Sequence, residues 1–153
     1  LDTAILALPV AEPSLEEVTL FEERFVLVRP EGDAGLPVPS ADSLSQMRLL
    51  LLEEGHCFRD QALAVCSLPQ VRPRDGFDAS SLSTLVQMVG AGMGVTLIPE
   101  MAVPVETRSA AVALARFAAP EPTRRVGMVW RKSSPLIAQL QDVAAVVRSA
   151  AAA

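Results

Sequence analysis

The segment Glu54–Cys66, EGHCFRDQALAVC, holds both cysteines of the 153-residue chain, Cys57 and Cys66, and its single histidine, His56. Arg59 and Asp60 stand beside them, so a thiol, a base, a cation and a carboxylate share one short stretch. Thiolate is the reactive form of cysteine, and positive charge or a helix N-terminus favours it. Arg48–Leu52 is strand-like and runs into Glu53-Glu54-Gly55, so Cys57 is expected where a strand ends and a helix begins. Gly55 frees the turn, and Phe58–Val65 has the Leu, Ala and Gln content of a helix. The Cys57 thiol would then face first-turn N–H groups, with Arg59 nearby.

The spacing of the two cysteines carries a second message. In one regular helix, nine steps of ~100° would set them on opposite faces and ~13 Å apart along the axis. A disulfide needs Cα atoms within ~7 Å of each other. An intact helix and a Cys57–Cys66 bond therefore exclude each other. Thiols that can pair only by dismantling local structure are the ingredients of a redox switch. Two unrelated cysteines packed as small hydrophobes are the plainer reading. A cysteine hydrolase or thiol peroxidase built on Cys57 is a third. Against it, no second histidine exists, and a Cys57–His56–Asp60 triad across a helix start is strained.

Several elements must position this segment. Thr3–Leu8 reads as a buried strand ending at Pro9, and Val18–Phe21 and Arg24–Val28 as two further strands. Pro30–Pro39 is a loop, and Ser40 or Asp42 caps a short helix over Ser40–Gln46. After the cysteine segment a short strand is expected around Gln70–Arg74. Ser80-Ser81 precede Leu82, Leu85, Val86 and Val89, an apolar stripe at helical spacing. Gly90, Gly92 and Gly94 end that helix and lead into strand Val95–Ile98, stopped by Pro99. Ala111–Phe117 and Arg125–Arg131 read as strands. Ser133 or Ser134 caps a last helix at Pro135, with Leu136, Leu140, Val143 and Val147 on one face. Strands alternating with helices predict an α/β sheet, at least partly parallel.

Composition bounds the function. The length fits one domain or two small lobes with a buried core, and 50% of the residues are hydrophobic. Net charge is −5 and the basic residues are scattered, which argues against nucleic-acid binding by this piece. No apolar run reaches the ~18–20 residues that span a bilayer. Leu1–Val10 lacks the basic region of a signal peptide, and its opening in mid-pattern without Met is that of a fragment. Two cysteines without a disulfide framework predict a cytoplasmic protein.

GHCFRDQ at Gly55–Gln61, followed by Cys66, resembles the redox segment of the OxyR group, the peroxide-sensing LysR-type transcriptional regulators. FDASSLSTLVQMVGAGMGVTLIPEMAVP at Phe77–Pro104 resembles the family's effector-facing helix and following strand, and PEPTRRVGMVWRKSSPL at Pro120–Leu136 its closing strand and last helix. GMGVTLIP alone would indicate only a LysR-type regulatory domain; the cysteine pattern is more specific. The resemblance spans nearly the whole chain. It implies a two-lobed, periplasmic-binding-protein-like regulatory domain whose first lobe is incomplete. Residues 1–19 and 123–153 would belong to lobe I and residues 20–122 to lobe II, with the DNA-binding helix-turn-helix domain absent. A first lobe without its opening elements is expected to expose apolar surface.

The resemblance also implies roles. Cys57 would be the peroxide-reactive thiol, passing through a sulfenic acid, and Cys66 the resolving thiol, whose place on the stripe of Ala62 and Leu63 predicts burial while reduced. His56, Arg59, Asp60 and Arg124 would form the surroundings of peroxide and thiolate. For each a simpler reading stands: a turn residue, an exposed Arg59–Asp60 ion pair, a strand-edge charge. Ser81 is a possible effector contact or a plain helix cap. Hydrogen peroxide would be the signal, with no metal or organic cofactor. Partners would be further copies of the chain as dimer or tetramer, DNA through the absent domain, and RNA polymerase, with no membrane. A small-molecule-effector-binding LysR-type domain without redox function is the alternative.

Overall fold

The computed structural model describes residues 1–53, 57–66 and 78–152, with residues 41 and 42 described as backbone only. The strands and helices in chain order are β1 (Thr3–Leu8), β2 (Leu15–Pro30), α1 (Ala41–Leu44), β3 (Leu51–Leu52), α2 (Cys57–Val65), β4 (Asp78–Ala79), α3 (Leu82–Gly90), β5 (Thr96–Pro99), α4 (Val103–Glu106), β6 (Val112–Ala115), β7 (Thr123–Arg131) and α5 (Ile137–Ala152). The chain divides into two compact units, Leu1–Glu23 with Thr123–Ala153, and Arg24–Pro122. β2 runs through the division.

In the first unit β7 lies between β1 and β2, and β1 pairs with it antiparallel from Thr3↔Trp130 to Leu8↔Arg125. Gly127 allows that close fit: a Cβ there would meet the Leu8 side chain and stand 2.9 Å from the Val18 carbonyl oxygen. Leu20, Met128, Trp130, Leu140 and Ala144 form the core, with Ile137 and Val147 of α5 packed on it. The stripe expected on this helix is therefore shifted. Residues 137, 140, 144 and 147 keep the helical period on the core side, where small Ala144 admits close packing. Val143 and Ile5 of β1 are half exposed, and Val146 of α5 is more exposed still. Just ahead of α5, the Ser134 hydroxyl accepts from Leu136 N at 3.2 Å.

The second unit is built on the later part of β2, which pairs antiparallel with β5 (Phe25↔Pro99 to Val28↔Thr96) and with β6 (Leu27↔Ala115 to Pro30↔Val112). The parallel pairing predicted from alternating strands and helices is found here. β3 and β4 pair in parallel (Leu51↔Asp78, Leu52↔Ala79), and Leu49 bridges Val95 the same way. One core joins Phe25, Leu27 and Val28 of β2 to Leu50, Leu63, Leu85, Val86, Leu97 and Ile98. Ser40 starts α1 by accepting from Ser43 N at 3.2 Å; the alternative cap, Asp42, lies outside the described side chains. Gly94 has a steric reason, since a Cβ there would run into the Arg48 carbonyl.

Three expectations change. Val18–Phe21 and Arg24–Val28 are one strand, and Glu23, between the two ranges, is buried and paired with Arg124. Arg48–Leu52 narrows to two strand residues and an isolated bridge at Leu49. α4, with Pro104 in its first turn, was not expected after the Pro99 stop. The strand expected around Gln70–Arg74 lies outside the described residues. Among the described residues no helix is long and apolar enough to cross a membrane.

Candidate functional site

The first described residue of α2 is Cys57, and the helical reading of Phe58–Val65 is met, while the turn expected at Glu54–Gly55 lies outside the described residues. The α2 sequence CFRDQALAV turns Phe58, Arg59, Ala62 and Leu63 inward. Both cysteines are free thiols. Cys57 is exposed on the first residue, and Cys66 is buried just past the last, at 1% exposure in the core beside Leu63 and Ala62. Cys66 N still donates to Ala62 O at 3.3 Å, so helical geometry persists to the second thiol. Nine helical steps then separate the thiols by ~13 Å along the axis, beyond the reach of a disulfide.

Two neighbours of Cys57 fasten the helix. Phe58 packs on Phe25 of β2, with ring centroids 5.7 Å apart and planes tilted by 37°. Arg59 Nη1 donates to Leu52 O at 2.7 Å, where β3 ends, and to Asp78 Oδ1 at 2.9 Å, where β4 begins. The Arg59 side chain is only 10% exposed, that of Asp78 42%. The exposed Arg59–Asp60 ion pair is thereby overturned. Consecutive helical residues diverge by ~100°, so Arg59 points into the protein while Asp60 stays outside. Asp78 was missed by sequence reasoning. It lies nineteen residues from Arg59, in the two-residue strand β4, which no sequence pattern had indicated.

The remaining candidates are spread out. Arg124 lies in the first unit on β7, where its Nη2 is 2.7 Å and its Nε 2.8 Å from Glu23 Oε2, a carboxylate at 6% exposure. Ser81 is the N-cap of α3, its Oγ accepting from Thr84 N at 3.2 Å and lying 3.0 Å from Thr84 Oγ1. His56 lies outside the described residues. Beside the end of α2, a cleft of about 410 Å³ is lined by Val65 with Val38, Pro39, Phe117 and Pro120. No group of three or more His, Cys, Asp or Glu among the described residues is placed to hold a metal.

Thiols at the two ends of one helix, inside a two-unit α/β chain, can be set against known proteins. The profile of the LysR substrate-binding domain matches residues 1–152. The chain belongs to that family. Among curated relatives, it is 48% identical over 137 residues to a probable hydrogen peroxide-inducible genes activator of Mycobacterium avium, covering 88% of this chain and 44% of the relative. It is 40% identical over 152 residues to the DNA-binding transcriptional dual regulator OxyR of Escherichia coli strain K12, covering 97% and 50%. The chain thus spans about half the length of the curated relatives it matches. Among solved structures, a cysteine mutant of Corynebacterium glutamicum OxyR superposes with a TM-score of 0.85 at 34% identity, covering 97% of this chain and 47% of that one. The reduced OxyR regulatory domain of Pseudomonas aeruginosa gives 0.79 at 34% identity, covering 97% and 72%. The two-lobed, periplasmic-binding-protein-like class expected of a LysR-type regulatory domain is the class of these neighbours.

Proposed function

We propose that this chain is the peroxide-sensing part of a LysR-type transcriptional regulator, switched by Cys57 and Cys66. The observation that carries the reading is the placement of the thiols: one exposed at the head of α2, the other buried at its foot. The names of the relatives supply the oxidant. The Cys57 thiolate attacks one peroxide oxygen, the O–O bond breaks, and hydroxide leaves, giving a sulfenic acid. The Cys66 thiol then displaces the sulfenic oxygen as water, and the two sulfurs join. That second step requires α2 to unfold, because the folded helix holds the sulfurs apart. A nine-residue helix is well suited to this. Isolated helices shorter than ~12–15 residues are marginal in water, so this one depends on its packing.

His56 and Asp60 are proposed to furnish polar surroundings for peroxide, whereas the pairing of Arg124 with Glu23 supports a role within the first unit. For Arg59 the hydrogen bonds to Leu52 and Asp78 support holding the helix rather than touching the oxidant. The two units would correspond to the two lobes of the regulatory domain. Oxidation would change how such domains pair in a cytoplasmic homo-oligomer. DNA-binding domains on the rest of the longer protein would then move, and with them the engagement of RNA polymerase.

The test is mass spectrometry on the full-length protein after one equivalent of hydrogen peroxide. The wild type should lose two hydrogens through an intramolecular disulfide, and Cys66→Ser should stop at a trappable sulfenic acid on Cys57. A disulfide that survives Cys57→Ser through some other partner, or a wild type that forms none, sinks the proposal. The cleft beside Val65 favours a second reading, a metabolite-binding domain without redox function. That reading predicts calorimetric binding of a small molecule and an inert Cys57.

A further inference from the structure

We propose that Asp78 is a positioning residue which, through Arg59, keeps α2 folded and so sets how readily the second thiol is released. The inference deepens the peroxide-switch reading and, for its redox consequence, rests on it. Arg59 lies between the two thiols in sequence, two residues after Cys57. Its guanidinium reaches out of α2 to the carbonyl that ends β3 and to the carboxylate that begins β4. Those strands are fixed to each other by their parallel register and by Glu53 N donating to Ala79 O at 3.0 Å. One side chain thereby ties the first turn of the helix to two strands.

The contact is matched to its task. The Arg59 side chain is 10% exposed, so the charge it carries inward needs a partner, and Asp78 supplies it. Without the carboxylate, Arg59 keeps a neutral carbonyl and is drawn toward water. Because the helix is short, loss of one anchor lowers the cost of opening all of it rather than of one turn. The Asp78 carboxylate is 42% exposed and is not among the apolar core residues of the unit, so replacing it removes no core side chain while it takes from Arg59 its charge partner. After oxidation, the Cys57 sulfenic acid waits for α2 to open. The Cys66 thiol then attacks the Cys57 sulfur, the S–O bond breaks, water leaves, and the disulfide closes.

Hydrogen exchange and two-step kinetics on the full-length protein test this. Asp78→Ala should speed exchange of the α2 amides and the sulfenic-to-disulfide step by about threefold to tenfold, the range expected when a part-exposed charged hydrogen bond is lost. Formation of the sulfenic acid, measured in Cys66→Ser, should keep its rate, and so should exchange of the β2 and β5 amides. Asp78→Asn, which keeps an acceptor but not the charge, should fall between, and Asp78→Glu should restore most of the wild-type rate. Unchanged α2 exchange in Asp78→Ala overturns the proposal, as does an equal acceleration in β2 and β5, which would mean general loosening. If α2 exchange responds as stated but no form makes a sulfenic acid, the clasp stands and the peroxide reading falls.

Discussion

α2 and α3 are both nine residues long and both pack into the core of the second unit, yet they are held by different means. α3 carries its own instructions. Ser81 caps its start, Leu85, Val86 and Val89 bury one face, and Gly92 takes the left-handed conformation (φ 78°) just past its end. α2 is secured from outside, by Phe58 on Phe25 and by Arg59 on Leu52 and Asp78. A helix with its own cap and stop keeps those signals when a neighbour is withdrawn, although at nine residues it too depends on packing. One specified by tertiary anchors is lost once those anchors are withdrawn, and that suits the element whose unfolding joins two sulfurs.

The largest effect expected from this contrast is all-or-none. Cys57→Ser should abolish the peroxide-dependent disulfide, read as intact mass, while leaving the reduced protein's melting temperature within the usual scatter of surface substitutions. Next come paired core truncations. Leu85→Ala in α3 and Phe58→Ala in α2 should each cost about 3 kcal/mol in denaturant unfolding. They should separate in hydrogen exchange: Phe58→Ala opens α2 well below the global unfolding level, whereas Leu85→Ala lowers the protection of the whole unit together. Were both to act alike, the two helices would share one kind of support and the contrast would be broken. The smallest effect sharpens it. Ser81→Ala should cost about 1 kcal/mol through the lost cap and leave α2 exchange and disulfide formation untouched.

The residues that were legible in the sequence are those whose structure is decided by near neighbours. Ser81 was readable as a cap because a serine before an apolar stripe has a local partner, Thr84 N. Cys66 was readable as buried because it continues the stripe of Ala62 and Leu63. Glu23 lies between two stretches that read as separate strands, and it is buried inside a single one. Its partner, Arg124, lies 101 residues away, and no local rule connects them. Arg59 misled, since the acid beside it in sequence was the obvious partner, while the one that binds it belongs to another strand. Val143 looked like a core residue because its spacing was right, but spacing names several neighbouring stripes and the packing of Ala144 selected one.

The sequence by itself determined that two thiols stand nine residues apart on a stretch that favours helix, and that bond and helix exclude each other. Covalent geometry and the helical repeat are enough for that. Only the tertiary structure decided which side of the helix carries a buried cation and which distant carboxylate receives it. Those choices depend on what the folded chain brings opposite each face, and contacts of that range leave no periodic trace in the sequence.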